Sequence, residues 1–403
     1  VKRYLGLYDT GGNFGIIQGK INNGRIKRKM EKKKSVGKII GIVAGCIVAA
    51  VAVFGISCYL ILLHYINKRN YVPTREDFTI LDETPSFLED VLNPSSTQAS
   101  TDSDKKEVES YKNNVESQAE NTTQADEQLV SDVYNILLVG SDVRPKETVG
   151  RSDTMILVSI NKETKRIVAT SFLRDTYVKL PIKNEFHKLN AAYAFGGIEL
   201  LFQTLQYNYG ISVDKYVAVD FLSFIEAIDI LGGLDVQVYE EELYWFNQYI
   251  HASNLMVEPP EREDSDYVDH ADGSFQHLNG KQALAYARFR YVGNGDFTRT
   301  DRQRRVVQNI FDKIKTMDVS TLVKLLDNII PQITTNLTTD ECMELITMLP
   351  EMSKYEVVSW HIPDEDFKYM TIDGDDVVAI DFSYYMKKLY NYIYTDVEPV
   401  TEK

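Results

Sequence analysis

One stretch of twenty-five residues limits what this chain can become, because it contains no charged side chain. It covers residues 39–63 and reads IIGIVAGCIVAAVAVFGISCYLILL. As an α-helix it would be about 37 Å long at roughly 1.5 Å per residue, enough to cross a bilayer with some tilt. A cleaved signal peptide, the competing interpretation, would have a shorter apolar region and a small-residue cleavage site. We therefore expect one retained transmembrane helix.

The distribution of charge predicts how that helix is oriented. Residues 1–38 carry eleven Lys and Arg against two acidic residues, whereas the whole chain has a formal charge of −15. Lys and Arg accumulate on the cytoplasmic side of membrane helices. We expect residues 1–38 to be a short cytoplasmic tail that contacts anionic lipid rather than nucleic acid. The protein would then be a single-pass protein of the cell membrane, with its N-terminus cytoplasmic and its main domain extracellular.

Cysteine usage narrows the class of the external part. Of the three cysteines, Cys46 and Cys58 lie in the predicted membrane helix and Cys342 is alone outside it. The external part can therefore form no internal disulfide, which excludes the small extracellular modules that depend on disulfides.

Composition changes again beyond the apolar run. We assign residues 64–131 to an extracellular juxtamembrane segment and polar spacer. Residues 94–131 have too few large apolar groups to offset the entropy of ordering, so partial helix is the most we expect there. The folded domain is predicted over residues 132–395, followed by a tail at residues 396–403.

Strand-like and helix-like patterns alternate through the predicted domain. Apolar or alternating runs predict strands at residues 134–140, 154–160, 166–172 and 215–221. Helical spacing predicts a helix at residues 188–210 and another that ends at Gly232 and Gly233 in left-handed conformation. This alternation predicts an α/β domain with a central mixed β-sheet flanked by helices. The polar stretch at residues 247–277 is predicted to be a long loop.

Arginine is concentrated in the segment YARFRYVGNGDFTRTDRQRR, residues 286–305, which contains six arginines and no lysine. The simpler interpretation is a solvated basic face on a helix that begins near Thr300. That interpretation suits Arg302, Arg304 and Arg305 in part.

Arg288 and Arg290 fit a solvated face poorly. They alternate with Ala287 and Phe289, so in an extended segment both would point the same way. A guanidinium group grips phosphate or carboxylate through paired hydrogen bonds, which an ammonium group cannot do. These arginines therefore favour a pocket for an anionic ligand with several oxygens.

A second polar cluster surrounds the loop between the first two predicted strands. Asp142 follows one strand and Asp153 precedes the next, so antiparallel pairing would bring both carboxylates to one edge of the sheet. Two carboxylates there suit Mg²⁺ or Mn²⁺. The alternative is that both only hold local backbone. Arg151 in the loop and Arg174 after a later strand add positive charge, although Arg174 could simply pair with Asp175.

Seven segments, in order, resemble the LytR-CpsA-Psr family. They are NILLVGSDVR, GRSDTMILVSIN, SFLRDTYVKLP, HKLNAAYAFGG, DILGGLDVQV, LNGKQALAYARFR and DFTRTDRQRRV. The resemblance is dense over residues 132–315 and weaker to about residue 395. The predicted anchor and spacer also match the usual layout of that family.

The resemblance implies an enzyme, a membrane-anchored extracytoplasmic phosphotransferase. It would move a glycopolymer from an undecaprenyl-pyrophosphate carrier onto peptidoglycan through a phosphodiester. The polymer would be wall teichoic acid, capsule or a similar polysaccharide. The carrier's apolar tail would need a channel, for which the helices at residues 188–209 and 222–231 are candidate walls, with plain core packing as the other interpretation.

The resemblance also implies roles for individual residues. Asp142 and Asp153 would hold Mg²⁺, with Mn²⁺ as the alternative ion. The pyrophosphate would be surrounded by Arg151, Arg174, Arg288, Arg290, Arg299 and Gln303. The catalytic residues would be Arg174, Asp296 and Arg299, where Asp296 either orients Arg299 or accepts the proton of the incoming hydroxyl. Leu173 departs from the proline that the family usually has there, but it leaves Arg174 in place.

Two other functions are compatible with the same residues. The protein could be a polyprenyl-pyrophosphate lipid hydrolase, in which water replaces the sugar hydroxyl. It could also be a non-catalytic lipid-glycan receptor or regulator of envelope genes. Hydrolysis and transfer would share one site, so only the products separate them.

Overall fold

The computed structural model describes eight stretches of the chain, residues 55–75, 102–122, 133–142, 150–213, 215–255, 266–293, 295–372 and 374–395. The predicted tails at residues 1–38 and 396–403 lie outside them, as does most of the apolar run. The end of that run lies in a helix at residues 55–66 (α1). None of the helices in these eight stretches is both long and apolar enough to span a bilayer.

Strands and helices make up most of the rest of the described chain. The strands are β1 (Asn70–Tyr71), β2 (Val133–Ser141), β3 (Ser152–Asn161), β4 (Arg166–Phe172), β5 (Tyr177–Leu180), β6 (Glu185–Lys188), β7 (Lys215–Asp220), β8 (Leu234–Gln237), β9 (Phe275–Leu278), β10 (Thr334–Thr335), β11 (Glu356–Ile362), β12 (Phe367–Ile372) and β13 (Asp375–Ile380). The helices are α2 (Asp102–Thr122), α3 (Leu189–Tyr209), α4 (Phe221–Ile230), α5 (Leu243–Asn254), α6 (Gly280–Arg288), α7 (Asp296–Thr316), α8 (Val319–Asn328), α9 (Thr339–Met352) and α10 (Phe382–Tyr394).

Seven strands form one central sheet in the order β1-β10-β7-β2-β3-β4-β11. The pairs β1–β10, β7–β2 and β4–β11 are parallel, and the other neighbours are antiparallel. The predicted mixed sheet is therefore confirmed.

The apolar runs of the central strands are buried because helices cover the sheet on both sides. Leu137 of β2 pairs in register with Leu157 of β3, and neither is exposed. These residues share the largest core cluster with Leu201 of α3 and Leu389 of α10. On the opposite face, Ile136 packs in a smaller cluster with residues of α9.

A separate apolar cluster supports the arginine-rich segment. It joins β8, α5, α6 and the middle of α7 through buried side chains that include Phe246, Tyr286, Phe289 and Val306. α4 ends where predicted, and Gly232 and Gly233 have positive φ angles of 76° and 82°. This packing fixes the positions of α6 and α7, which carry most of the arginines of the segment.

The segment predicted to be a polar spacer contains a helix that packs on the folded unit. Val115 of α2 is 2% exposed and belongs to the main core cluster. The Tyr111 hydroxyl donates to the Tyr177 carbonyl oxygen at 2.9 Å, and Gln118 Nε2 donates to Asp381 Oδ1 at 3.0 Å. Because α2 is mostly charged and polar, its few apolar residues did not predict that one side of it packs on the core.

Three local predictions differ from the structure. Residues 247–277 are not one long loop, because α5 reaches Asn254 and β9 begins at Phe275. β12 and β13 form a hairpin that the sequence did not predict. α3 is kinked at Gly196 and Gly197, where the backbone leaves helical geometry. In the first two cases, tertiary contacts stabilise segments whose local pattern is weak.

Candidate active site

The two predicted carboxylates lie where β2 and β3 meet at one edge of the sheet. The strands are antiparallel neighbours, with Ser141 paired to Ser152. The Asp142 amide donates to the Arg151 carbonyl oxygen at 3.1 Å, and the Arg151 amide donates to Asp142 Oδ1 at 2.5 Å. The predicted antiparallel pairing is confirmed. Asp142 also binds local backbone, as the alternative predicts, whereas Asp153 binds the Arg174 side chain.

Arg174 connects this edge to the end of β4. Its Nη1 donates to Asp153 Oδ1 at 2.5 Å, and its Nε lies 3.6 Å from Asp175 Oδ2. The Arg174 and Asp153 side chains are only 15% and 11% exposed. Arg174 therefore contacts the predicted metal-binding carboxylate as well as the neighbour with which it could have paired alone.

Arg288 and Arg290 reach the site by a different route from the one predicted. Arg288 is the last residue of α6, and Arg290 follows it in a loop, so the two do not alternate on a strand. α6 packs tightly on α4, since a Cβ at Gly280 would lie 2.2 Å from the Ile225 carbonyl oxygen. The Arg288 guanidinium lies over the Phe221 ring of α4, 4.4 Å from its centroid.

Arg299 and Gln303 lie one helical turn apart on α7, and both are buried. Gln303 Nε2 donates to the Ala287 carbonyl oxygen at 3.3 Å, which fixes α7 against α6. α7 begins at Asp296 instead of near Thr300. The side chain of Asp296 lies outside the described part of the structure.

The other arginines of the segment do not line the site. The three arginines that suited a solvated face in part divide, because Arg302 is 1% exposed whereas Arg305 is exposed. The Arg302 Nη2 lies 2.6 Å from Glu242 Oε1, and its Nη1 donates to the Phe289 carbonyl oxygen at 2.9 Å. Arg304 pairs with Asp301. Glu242 lies in a distant segment, so the sequence pattern had no means of revealing this partner.

The site's electrostatics distinguish the two carboxylates. Burial acts to raise the pKa of Asp153, but Arg174, Arg299 and Arg288 outweigh it, so that pKa is lowered. Burial and the nearby Asp153 raise the pKa of Asp142. Burial also lowers the pKa of Arg151 and of Arg288. Guanidinium groups taken out of water in this way would be stabilised by a bound anion.

The two carboxylates fit a hard divalent cation whose coordination shell is completed by other ligands. No cluster of three or more His, Cys, Asp or Glu that could hold a metal occurs among the described residues. Mg²⁺ usually keeps waters and substrate phosphate oxygens and takes only one or two protein carboxylates. Asp142 and Asp153 supply that number, and a cation would counteract the burial and the Asp153 charge that raise the pKa of Asp142.

A cavity of about 530 Å³ extends from Asp153 between the sheet and three helices. Its charged and polar lining includes Asp153, Arg174, Asp220, Arg288, Arg290, Arg299 and Gln303. Its apolar lining comes from β2, β3 and β7 (Leu138, Ile156, Val217 and Val219), from α4 and α6 (Phe221, Phe224 and Leu284) and from α7 (Val306, Val307 and Ile310). The cavity therefore combines a cationic region with a large apolar region.

Only one of the two helices predicted to wall a channel does so. α4 contributes Phe221 and Phe224, whereas α3 packs in the core on the other face of the sheet. The sheet residues of the lining were not predicted from the sequence. The sequence of β7 could have indicated them, because Val217 and Val219 alternate with the buried Ala218 and therefore point to the opposite face of the sheet.

Solved structures with this fold exist. A protein of Streptococcus agalactiae matches with a TM-score of 0.53 and 25% identity, over 69% of this chain and 94% of that one. A structure described as TagT bound to LI-WTA matches with a TM-score of 0.51 and 24% identity, over 68% of this chain and 95% of that one. At these identities the likeness establishes the fold.

Curated relatives are similar over somewhat more than half of the chain. TagU of Enterococcus faecalis, a polyisoprenyl-teichoic acid–peptidoglycan teichoic acid transferase, is 32% identical over 53% of this chain and 64% of its own length. TagU of Bacillus subtilis is 31% identical over 59% and 69%. Biofilm regulatory protein A of Streptococcus mutans is 33% identical over 51% and 50%. The chain thus spans between half and about two thirds of these relatives.

A family model extends the match beyond the region shared with those relatives. The model of the LytR_cpsA_psr family covers residues 95–391, which is well over half of the chain and includes α2 and every site residue described above. The chain therefore belongs to the LytR-CpsA-Psr family.

Proposed function

We propose that this protein is a phosphotransferase that moves a glycopolymer from a polyprenyl-pyrophosphate carrier onto peptidoglycan through a phosphodiester. One observation carries the proposal: Asp153, Asp220 and four arginines line a cavity whose remaining lining is largely apolar. A polyprenyl-pyrophosphate glycolipid has the matching parts, an anionic pyrophosphate and a long apolar tail. The curated TagU relatives, named as teichoic acid transferases, support the same class of substrate.

The arginine cluster (Arg151, Arg174, Arg288, Arg290 and Arg299) has the chemistry that phosphoryl transfer needs. The acceptor sugar's hydroxyl oxygen attacks the glycan-side phosphorus, and the bond from that phosphorus to the bridging oxygen breaks. Polyprenyl phosphate leaves, and the hydroxyl proton passes to a base. Fixed guanidinium groups stabilise the charge that shifts during this step, and they require little rearrangement because they are already held in place.

Mg²⁺, with Mn²⁺ as the alternative, would be held by Asp142 and Asp153 and would supply further charge neutralisation at the phosphates. Arg174 positions Asp153 through their hydrogen bond. Gln303 fixes the turn of α7 that carries Arg299. Asp296 keeps two proposed roles, orienting Arg299 or accepting the hydroxyl proton.

The proposed location is the outer face of the cell membrane. The uncharged run at residues 39–63 would anchor the protein, with the basic residues 1–38 in the cytoplasm. The active site would then face peptidoglycan, and the polymer would be wall teichoic acid, capsule or a similar polysaccharide. This placement gives the protein no role in binding nucleic acid.

The test uses the full chain in detergent with a polyprenyl-pyrophosphate-linked disaccharide, peptidoglycan oligomers and Mg²⁺. Mass spectrometry should find polyprenyl phosphate together with a glycan-phosphate-peptidoglycan adduct. We expect Arg174→Ala and Asp153→Ala to lower adduct formation by at least about 100-fold. Chelation of divalent ions by EDTA should abolish it. Arg305→Ala is the matched control, because Arg305 is an exposed arginine of α7 outside the cavity lining.

The other outcomes separate the alternatives. Release of polyprenyl phosphate without an adduct, at any acceptor concentration, would establish a lipid hydrolase. Tight lipid binding without turnover, weakened by Arg174→Ala, would establish a receptor, a role compatible with the name of Biofilm regulatory protein A. Full activity of both site variants would refute the proposed site.

A further inference from the structure

Three aromatic side chains form a partly exposed group beside the arginine cluster. The Trp245 and Tyr291 rings are stacked, with centroids 4.1 Å apart and an interplanar angle of 25°. The Tyr244 ring meets Trp245 edge-on, with centroids 5.0 Å apart. Tyr244 is 64% exposed and Tyr291 is 54% exposed. We name Tyr244, Trp245 and Tyr291 the aromatic platform.

The aromatic platform is continuous with the arginine-lined end of the cavity. Arg290 lines the cavity and is itself exposed, so it marks the cavity rim. Its guanidinium lies 5.8 Å from the centroid of the Tyr291 ring. Tyr249 also lines the cavity, and its ring centroid lies 6.3 Å from that of Tyr291. A ligand held by Arg290 would therefore have the platform beside it.

Core packing does not explain why the rings of the aromatic platform are exposed. Phe246 and Phe289 are fully buried in the neighbouring core, and Trp245 packs against that core while staying half-buried. Large exposed aromatic groups that stack on each other, next to a binding cavity, are typical of a ligand surface. Their flat apolar faces match the C–H face of a pyranose ring, and their polar edges match its hydroxyl groups.

We propose that the aromatic platform is a subsite for the pyranose ring that is bonded to the pyrophosphate of the donor. The inference rests on the proposed function and specifies it. The cavity takes the apolar tail and the arginine cluster takes the phosphates. The first sugar is bonded directly to the outer phosphate, so it must lie next to the arginines, where Arg290 and Tyr291 meet. An acceptor sugar would carry no such covalent constraint.

The first measurement compares two probes on the full chain in detergent micelles. One probe is undecaprenyl pyrophosphate, and the other is the same lipid bearing one N-acetylhexosamine. Isothermal titration calorimetry should find that the sugar tightens binding by about tenfold, as one good stacking contact would. Trp245→Ala and Tyr291→Ala should remove this difference and leave the affinity for the sugar-free lipid unchanged.

Trp245 also serves as a direct reporter. The chain has two tryptophans, and the other, Trp360, is 7% exposed and donates to Thr170 Oγ1 at 2.8 Å. In a Trp360→Phe protein, the fluorescence of Trp245 should change with the sugar-bearing lipid and far less with the sugar-free lipid. Equal changes with both lipids would contradict contact between Trp245 and the sugar.

Controls separate stacking from folding. Trp245→Phe keeps an aromatic ring and should retain most of the sugar's effect. Tyr369→Ala removes an aromatic residue that is 59% exposed elsewhere, on β12, and should leave both affinities unchanged. Every variant is checked by thermal melting before binding is compared.

The outcomes also separate this inference from the proposed function. If the sugar-free lipid binds and Arg174→Ala weakens it, but the platform variants leave the sugar's effect intact, then only the platform assignment is wrong. If the platform variants instead raise the KM for peptidoglycan oligomers alone, the donor assignment is overturned in favour of the acceptor. If neither lipid binds, both proposals fail.

Discussion

At the scale of single residues, two arginines one turn apart on α7 have opposite roles. Arg299 lines the cavity. Arg302 is turned away from it, paired with Glu242 and bonded to the backbone of Phe289, and its guanidinium lies 3.6 Å from the centroid of the Phe289 ring. The peptide that Arg302 holds lies between Arg288 and Arg290. Arg302 is thus a positioning residue for the arginine cluster.

Replacement of Arg302 by Met should be strongly destabilising. It leaves the Glu242 carboxylate buried without its partner, for which losses of about 3–5 kcal/mol in the free energy of unfolding are typical. Urea denaturation followed by circular dichroism measures the change. The double variant Arg302→Met with Glu242→Gln should recover part of the loss, because no charge then remains buried. A loss below about 1 kcal/mol in the single variant would contradict the pairing.

Asp142 predicts a pH-dependent effect on stability. Burial, and then the charge of Asp153, raise the pKa of Asp142 in the folded protein. A group with a raised folded pKa contributes stability below its unfolded pKa of about 3.9 and loses that contribution as pH rises through the folded value. In EDTA, Asp142→Asn should therefore stabilise the protein near neutral pH, and the gain should shrink towards about pH 4.

Melting temperatures measured across that pH range test this prediction. The exposed Asp269→Asn serves as the control, and it should have a small effect at every pH. A gain for Asp142→Asn that stays constant with pH, or that grows as pH falls, would contradict the predicted sign. The same variant should lose transfer activity, since Asp142 is a proposed metal ligand.

At the scale of secondary-structure elements, α2 changes the extent of the folded unit. The predicted boundary at residue 132 followed from the polar composition of residues 94–131. In the structure, however, α2 contacts β5, α3 and α10. Amino-acid composition gives the average polarity of a helix, whereas its packing depends on the residues of one apolar face.

Val115→Ala should measure how much α2 stabilises the folded unit. Val115 is 2% exposed, so its truncation leaves a small cavity and should cost about 2 kcal/mol in the free energy of unfolding. Glu109→Ala on the exposed side of α2 is the control and should stay within about 0.5 kcal/mol. If both variants unfold like the parent protein, then α2 contributes nothing to stability, and the predicted spacer is the better description.

At the scale of the whole molecule, the cavity arises from elements far apart in the chain. Its floor is the sheet face of β2, β3 and β7, and its walls are α4, α6 and α7. The arginine cluster likewise combines residues from the loop before β3, from the end of β4, from α6 with the loop after it, and from α7.

A larger side chain on the cavity floor should separate tail binding from phosphate binding. Val217→Phe fills apolar volume, so the affinity for undecaprenyl pyrophosphate should fall by at least about tenfold. The affinity for inorganic pyrophosphate should not change, because the arginines are untouched. Calorimetry with both ligands measures this.

Val357→Phe is the matched control for that substitution, because Val357 is 63% exposed on β11 and lies outside the cavity lining. It should leave both affinities unchanged. If Val217→Phe leaves lipid binding intact, the tail does not occupy this cavity.

Local pattern was sufficient for much of the fold and for the chemistry of the site. Continuous apolar runs predicted β2, β3 and β4 because a strand buried on both faces needs apolar residues at every position. The antiparallel return of β3 placed Asp142 and Asp153 at one edge, as expected. The residue types alone indicated an anionic ligand. The individual roles came from the family motifs and stay predictions.

Tertiary structure alone decided which charges are buried, and where the apolar cavity and the aromatic platform lie. The sequence around Arg302 resembles that around the neighbouring arginines. Arg302 is nevertheless buried, because its guanidinium pairs with Glu242, which lies sixty residues earlier. Residues 94–131 are polar on average, but Val115 packs against strands and helices from distant parts of the chain. A sequence specifies side-chain chemistry and local periodicity directly. Burial and counter-charge depend on which remote segments meet, and only the packed fold determines that.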